Sequence, residues 1–212
     1  MSAREEILDR LRGALRDGPE APPIPQAHRQ SGDLDTGALI ALHTDRLLDY
    51  KAGVRTVAAA ELPAALAELL AGAQRYVVPP GLDAGWLDHP DLAADPRRRA
   101  DAAASPLTVA DLDATDAVLT SSTASIAESG TIVLDGGPGQ GRRAISLIPD
   151  QHVCVVPASS IVQILPEALT RLNPTSPLTW ISGPSATSDI ELERVEGVHG
   201  PRRLDVVIVS DL

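Results

Sequence analysis

Apolar residues in the first fifty positions recur with the period of an α-helix. Residues 2–16 place four of them on one helical face: Ile7, Leu8, Leu11 and Leu15. Ser2 and Glu5 have the spacing of a capping box, which predicts that this helix begins near residue 2. Several prolines between residues 18 and 37 predict a linker, and the apolar positions in 38–51 predict a second helix.

Beyond residue 53, the pattern changes to short apolar runs that alternate with helical periods. We predict strands at residues 54–58, 75–78, 117–120, 131–134, 152–156, 178–181 and 205–209. We predict helices at residues 62–71, 109–112, 142–147 and 161–172. This alternation is typical of units in which helices connect parallel strands.

Several predicted strands, such as 153–156 and 206–209, are continuously apolar. Because both faces of such strands must be buried, the sequence predicts a three-layer α/β/α fold around a mostly parallel sheet. We expect residues 1–52 to form a helical extension with a proline-rich linker, and residues 53–212 to form the α/β domain. Ligands of open α/β sheets bind beyond the carboxyl ends of the strands, so the loops that follow strands are the candidate site.

Charge and cysteine content exclude several classes of function. The net charge is −11 and no basic segment is present, which argues against binding to nucleic acid or to acidic membranes. Cys154, the single cysteine, cannot form an internal disulfide or a four-cysteine iron–sulfur site. We find no signal-peptide pattern and no apolar run of about 20 residues, so we expect a soluble, cytoplasmic protein without membrane insertion.

The stretch 121–131 joins two predicted strands and concentrates hydroxyl groups, one carboxylate and a glycine. Its candidate ligand-binding residues are Ser121, Ser122, Thr123, Glu128, Ser129, Gly130 and Thr131. Hydroxyl side chains can cap a helix start, where free N–H groups bind anions, and Glu128 is the candidate catalytic residue. The alternative is a helix with ordinary capping serines and a solvated glutamate.

Two adjacent arginines, Arg142 and Arg143, follow the glycine-rich stretch 135–141. That stretch lacks the spacing of a phosphate loop, and it predicts a hairpin tip instead. Each guanidinium can present a planar fork of donors to a carboxylate or phosphate. The alternative is a helix start at which both arginines are solvated.

Two later loops carry further candidates for anion binding. Ser182, Gly183 and Ser185 follow a predicted strand and combine hydroxyl groups with a glycine that permits close approach. His199 lies in a turn constrained by glycine and proline. A turn with a helix cap, and a turn histidine, are the structural alternatives. His152 and Cys154 share one strand face, but two ligands do not make a zinc site, so we predict no metal.

Taken together, these segments resemble the LUD (lactate-utilisation) family, in its LutC/YkgG-like branch. The resemblance rests on five segments in order: Ala-Glu-Ser-Gly-Thr at 127–131, Arg-Arg-Ala-Ile-Ser-Leu-Ile-Pro-Asp-Gln-His-Val at 142–153, Val-Pro-Ala-Ser at 156–159, Ser-Gly-Pro-Ser-Ala-Thr-Ser-Asp-Ile-Glu at 182–191 and Gly-Val-His-Gly-Pro-Arg-Arg-Leu at 197–204. They cover much of residues 105–210. The amino-terminal half matches in general form only.

The resemblance implies a bacterial protein that supports the oxidation of L-lactate to pyruvate together with two others. It implies that the chain binds no cofactor itself and that iron–sulfur clusters belong to partner subunits. It also implies a fold similar to ribose-5-phosphate isomerase and CoA-transferases. Since those transferases carry a nucleophilic glutamate in a Ser-Glu-Asn-Gly turn, Ala127–Gly130 resembles a variant of it.

Three hypotheses about function follow. In the first, the chain is a non-redox component of a lactate-oxidising system that binds a small carboxylate or phosphate-type ligand, organises the iron–sulfur subunits, or does both. In the second, it is a free-standing enzyme that processes acyl, CoA or phosphosugar substrates with Glu128. In the third, it is a regulatory or assembly protein without catalysis. The sequence leaves open whether the chain is an enzyme.

Overall fold

The computed structural model describes residues 2–18, 22–24, 28–187, 195–196 and 199–212. Two helices lead into the sheet, α1 (Ala3–Ala14) and α2 (Thr36–Asp49). The predicted capping box is confirmed, because the Ser2 amide donates to the Glu5 carboxylate at 2.7 Å. The apolar face of α1 remains exposed, whereas Leu47 of α2 is fully buried. The second helix is therefore the one that packs on the sheet layers.

Twelve strands and three further helices follow within the described residues. The strands are β1 (Gly53–Val57), β2 (Tyr76–Val78), β3 (Arg98–Ala100), β4 (Ala117–Thr120), β5 (Ala124–Ile126), β6 (Thr131–Leu134), β7 (Gln151–Pro157), β8 (Ile161–Val162), β9 (Thr179–Ile181), β10 (Ala186–Thr187), β11 (Val195–Glu196) and β12 (Arg203–Val209). The helices are α3 (Leu62–Leu70), α4 (Val109–Asp113) and α5 (Leu165–Arg171). The predicted bounds of β4 and β6 are confirmed without change.

Six strands form a parallel sheet in the order β1-β12-β7-β4-β2-β3. On one face, Leu62, Leu66 and Leu70 of α3 pack against Val153 and Val207. The opposite face carries the alternate residues of β7 and β12, and they pack against Leu47 of α2 and against a second sheet. The prediction of an α/β fold with a mostly parallel sheet is confirmed, and its central strands are buried on both faces as expected.

The second sheet has the order β8-β5-β6-β9 and mixes antiparallel with parallel pairs. This sheet was not predicted, because β5 lies inside the hydroxyl-rich stretch that we interpreted as a loop or helix start. The predicted helix at 161–172 is wrong at its beginning: Ile161 and Val162 form a strand, and the helix begins at Leu165. Their side chains are buried in apolar clusters with residues of β5 and β6 in the same sheet, and this burial overrides the helical pattern.

Strand β3 was also missed, and its residues explain why. Arg98 and Arg99 carry no apolar signal, and the strand forms the exposed edge of the parallel sheet. The predicted helix at 142–147 is a single 3₁₀ turn, Arg143–Ser146. Across the described ranges, every helix is too short or too polar to cross a membrane.

Candidate functional site

The turn Ala127–Gly130 connects β5 to β6, the two central strands of the second sheet. The Ala127 amide donates to the carbonyl oxygen of Val162 in β8 at 2.8 Å, and the Glu128 amide donates to that of Gln163, which follows β8, at 3.1 Å. Ala127 is fully buried, and Gly130 has a φ of +59°. The predicted helix start is therefore wrong here, because backbone pairing with β8 holds this stretch in strand and turn conformations.

The Glu128 carboxylate is already engaged by two donors. Arg29 donates to its Oε1, and Gln163 Nε2 donates to the same oxygen at 3.1 Å. The side-chain hydrogen bond from Arg29 is the largest cause that lowers the pKa of Glu128, followed by the bond from Gln163. Glu128 is thus ionised and paired, and it does not line either of the cavities described below.

The same neighbourhood anchors the segment that precedes α2. Gln163 Oε1 accepts hydrogen bonds from the amides of Asp33 and Leu34 at 2.8 and 3.0 Å. Glu167 Oε1 accepts from the Gly32 amide at 3.0 Å. With the Arg29–Glu128 pair, these contacts hold the segment against the second sheet. The geometry around Glu128 is that of a structural anchor.

A chain of hydroxyl groups leads from this turn to Ser182, which lines a cavity between the two sheets. Ser129 Oγ lies 2.7 Å from Thr131 Oγ1, and Thr131 Oγ1 lies 2.9 Å from Ser182 Oγ. Ser182 follows β9 and lines the cavity. Residues 129 and 131 therefore support the cavity wall through Ser182.

A cavity of about 310 Å³ lies between the two sheets; we call it the Arg143 cavity. It brings together five of the predicted residues: Arg143, Ser182, Gly183, Ser185 and His199. Ser146 and His152 also line it. His152 and Leu204 place it beside the amino-terminal ends of β7 and β12, not at the carboxyl ends where we expected a site. The second sheet, which the sequence did not reveal, supplies one wall of this cavity through Thr179, Trp180 and Ile181 of β9.

A second cavity, of about 360 Å³, adjoins the first and shares Arg143, Ser146 and Thr179 with it. We call it the apolar cavity, after its walls of Pro80, Ala102, Ala103, Pro106, Leu134 and Pro177. Pro80 and Asp101 follow β2 and β3, so this cavity does lie at the carboxyl ends of parallel strands.

The two adjacent arginines have different roles. The Arg142 guanidinium donates twice to Asp101, at 2.8 and 2.9 Å, and once to the Leu107 carbonyl oxygen at 2.5 Å. The Asp101 side chain is almost fully buried in this pair. Arg143 has no ion pair or side-chain hydrogen bond with any residue in the described part of the chain. Its guanidinium is therefore available to an anion, whereas that of Arg142 is committed to Asp101.

His152 forms the buried floor of the Arg143 cavity. Its Nε2 is 2.8 Å from Thr120 Oγ1, and burial lowers the pKa of His152 to about 4, so the ring is neutral at pH 7. Burial also raises the pKa of Cys154 to about 12, which keeps that thiol protonated. Among the residues that the structure describes, no three histidine, cysteine, aspartate or glutamate side chains are grouped to hold a metal ion.

The remaining candidates make local hydrogen bonds away from both cavities. Ser121 Oγ donates to the Pro138 carbonyl oxygen at 3.2 Å, and Ser122 Oγ donates to that of Val155 at 3.1 Å. Thr123 Oγ1 accepts from Gln140 at 2.6 Å. Ser121 and Thr123 therefore attach the glycine-rich stretch 135–141, whereas Ser122 bonds to β7. Residues 188–191, 197 and 198, which contributed to the family resemblance, lie outside the described residues, as do residues 192–194.

Comparison with known proteins adds to this geometry. The model of the LUD domain family matches residues 54–209. The chain belongs to the LUD domain family. It is 46% identical to Lactate utilization protein C of Deinococcus radiodurans over 214 residues, which covers 98% of this chain and 96% of that protein. It is also 40% identical over 101 residues to Lactate utilization protein C of Bacillus subtilis, covering 44% of this chain and 42% of that protein.

A solved structure supports the fold of this LUD chain. The crystal structure of a DUF162 family protein from Deinococcus radiodurans aligns with a TM-score of 0.70 at 42% sequence identity. The alignment covers 84% of this chain and 99% of that chain. The family resemblance inferred from the sequence is thus confirmed.

Sequence reasoning did not single out Ser146 as a ligand-binding candidate, and it interpreted His152 as a structural hydrogen-bonder. The hydrogen bond of His152 to Thr120 agrees with that interpretation, and its place on the cavity floor is an additional feature. Ser146 lies three residues after Arg143 in the same 3₁₀ turn, so it faces the same cavities. The spacing of three residues was the sequence signal for this, because a 3₁₀ turn has three residues per turn and places such residues on the same side.

Proposed function

We propose that this LUD chain serves lactate utilisation as a non-redox component that binds a small carboxylate in the Arg143 cavity. The names of its relatives supply the pathway, since proteins called Lactate utilization protein C match it at up to 46% identity. The observation that carries the binding role is that Arg143 lines two cavities and has no ion-pair partner among the described residues.

The chemistry of the cavity suits a 2-hydroxy or 2-oxo acid. A guanidinium binds a carboxylate through two parallel hydrogen bonds. Ser146 Oγ donates to the Arg143 carbonyl oxygen, so it can accept a hydrogen bond from the hydroxyl of the acid. Ser185 Oγ accepts from the His199 amide, so its hydrogen can be donated to the oxygen on the second carbon, beside Ser182. His152 is neutral and adds no charge to the cavity floor. Arg143 therefore supplies the anchor, and the hydroxyl groups supply orientation.

We further propose that the redox chemistry belongs to partner subunits and that this chain holds no cofactor of its own. Oxidation of lactate to pyruvate releases two electrons, which iron–sulfur subunits would accept. The sequence contains one cysteine, which is too few for a four-cysteine cluster. This chain would then hold the acid and organise the subunits that oxidise it.

The Arg143→Gln variant tests the binding role. Hydrogen bonds to a charged group contribute about 1.5–3 kcal/mol, so we expect the affinity for L-lactate or pyruvate to fall by roughly 10- to 100-fold. Isothermal titration calorimetry at fixed pH measures this change. Arg55→Gln is the matched control. Arg55 lies on the edge strand β1, away from both cavities, and pairs with Glu68 of α3. The control will bind like the parent chain.

A Glu128→Gln variant distinguishes this proposal from an enzyme that uses Glu128. Glu128 pairs with Arg29 outside the cavity, so the variant will retain carboxylate binding. Turnover of CoA thioesters by the parent chain, abolished in Glu128→Gln, would favour the enzyme instead. Failure of the parent chain to bind L-lactate or pyruvate at millimolar concentration would refute the binding role.

The partner role has a separate test. We expect the tagged chain, purified from cells grown on lactate, to bring down proteins that contain iron–sulfur clusters, seen by visible absorption and by mass spectrometry. Cells that lack the chain will fail to grow on lactate. An untagged strain controls for non-specific recovery. Normal growth of the deletion strain, with no iron–sulfur protein recovered, would contradict this role.

A further inference from the structure

The apolar cavity is not explained by binding of a three-carbon acid. It has a volume of about 360 Å³, and the Arg143 cavity adds about 310 Å³. One water molecule occupies about 30 Å³ in the liquid, so either cavity has room for roughly ten waters. Lactate, with six non-hydrogen atoms, fills only part of one. The space beyond Arg143 therefore suits a larger portion of a ligand.

The polar groups that border the apolar cavity are mostly satisfied by the protein. Asp101 is neutralised by Arg142 through two hydrogen bonds. Gln140 accepts from the Asp135 amide at 2.6 Å and donates to Thr123 at 2.6 Å. The remaining walls are mainly proline, alanine and leucine. A cavity with these walls favours an aliphatic group over a polar one.

Arg143 stands where the two cavities meet. Arg143, Ser146 and Thr179 line both of them, so a carboxylate held by Arg143 has hydroxyl groups on one side and the apolar walls on the other. A 2-hydroxy acid has this arrangement of groups. Its carboxylate and hydroxyl are adjacent, and its side chain leaves the second carbon in another direction.

We propose that the preferred ligand is a 2-hydroxy or 2-oxo carboxylic acid whose aliphatic side chain is longer than the methyl group of lactate. The carboxylate binds Arg143, the second-carbon oxygen faces the hydroxyl groups of the Arg143 cavity, and the side chain enters the apolar cavity. This inference rests on the proposed function, because it requires that Arg143 bind a carboxylate. Beyond the proposed function, it specifies how long the side chain of the bound acid is.

The affinities of a homologous series of 2-hydroxy acids test the inference. Calorimetric titration of the full chain with lactate, 2-hydroxybutanoate, 2-hydroxypentanoate and 2-hydroxyhexanoate compares side chains that differ by single methylene groups. Each buried methylene strengthens binding by about fourfold, so the six-carbon acid will bind about fiftyfold more tightly than lactate.

Neighbouring alanines provide a matched pair of variants. Ala103 lines the apolar cavity, whereas Ala104 does not. In Ala103→Phe, the new ring occupies the cavity, and the ratio of six-carbon to three-carbon affinity will fall from about fiftyfold to below about fivefold. Ala104→Phe introduces the same group in the same exposed turn and will keep the parent ratio. Thermal melting of both variants verifies that they are folded.

The outcomes separate this inference from the proposed function. If lactate binds and the longer acids bind equally or more weakly, the inference is wrong and the proposed function stands. An unchanged affinity ratio in folded Ala103→Phe also overturns it, because the side chain then lies elsewhere. If none of the four acids binds, both fail. A rising series that Ala103→Phe flattens and Ala104→Phe preserves supports both.

Discussion

Replacing Gly130 with alanine will destabilise the protein by about 2 to 5 kcal/mol. Gly130 has a φ of +59°, a conformation that costs other residues about 1–2 kcal/mol. A Cβ at this position would lie 2.8 Å from Arg46 Cβ and 3.1 Å from the Arg46 carbonyl carbon. Because one of these atoms is backbone, α2 itself must shift. Overpacking of this kind costs a further amount of about 1–3 kcal/mol.

Urea denaturation of Gly130→Ala and of the parent chain measures the loss. Gly72→Ala is the control, since a Cβ there meets no atom within 4 Å and its φ is not in the left-handed region. We expect that control to change the unfolding free energy by less than about 1 kcal/mol. Equal stability of Gly130→Ala and the parent would show that α2 does not pack closely on this turn.

Gly183 makes the same kind of close contact with Tyr50, the residue that directly follows α2. Its φ is +84°, and a Cβ there would lie 2.6 Å from Tyr50 Cβ and 3.0 Å from the Tyr50 carbonyl oxygen. The carboxyl-terminal end of α2 thus rests on two glycines from different loops of the second sheet. The glycine of Ala-Glu-Ser-Gly is explained by helix packing, and it needs no catalytic role.

Two buried histidines will make the protein lose stability as the pH falls from 7 to 5. Burial lowers the pKa of His43 and of His152 to about 4, against a reference of 6.5 in the unfolded chain. The folded state therefore keeps both rings neutral, while the unfolded state takes up protons below pH 6.5. Stability contributed by the neutral rings is complete above pH 6.5, and it is lost as the pH falls towards 4.

The size of this effect follows from the shift. One pKa unit corresponds to about 1.36 kcal/mol, so each histidine will lower the free energy of unfolding by about 2 kcal/mol between pH 7 and pH 5. The two together will cost about 4 kcal/mol, a large part of the stability of a typical domain. Carboxylates such as Asp101, whose pKa is lowered in the folded chain, lose their stabilising effect mainly below this window.

Urea denaturation at pH 7, 6 and 5 measures the slope. His43→Leu will reduce the pH dependence by about half, because it removes one of the two groups. His152→Gln does the same at the second position and keeps a hydrogen-bonding side chain beside Thr120. His89→Gln is the control, because His89 is partly exposed and belongs to a surface turn. If the unfolding free energy of both the His43 and the His152 variants depends on pH as steeply as that of the parent chain, these two histidines are not the cause of the pH dependence.

Much of the fold was predictable because its signals are local. Continuous apolar runs indicated β7 and β12, and capping spacing indicated the start of α1. The second sheet was not predictable in the same way. Ser125 of β5 is fully buried, although a serine-rich stretch is typical of a loop or a helix cap. Its neighbours on β6 and β8 decide that conformation, and both lie elsewhere in the chain.

The candidate site divides in the same way. Residue types predicted anion binding, and the structure gathers Arg143, Ser182, Gly183, Ser185 and His199 around one cavity. It places Glu128 outside that cavity, paired with Arg29, which is 99 positions away along the chain. Their roles in binding remain predictions, and the Arg143 variant tests them directly.

The family, the parallel sheet and the absence of a cysteine set for a cluster could be read from the amino-acid sequence, since motif order, periodicity and composition are properties of the chain. The tertiary structure was needed to show which of the two adjacent arginines has an ion-pair partner among the described residues. Asp101, 41 positions from Arg142, neutralises that arginine and leaves Arg143 at the junction of the cavities. Such pairing depends on distance in space, and charges far apart in the chain carry no local signal of it.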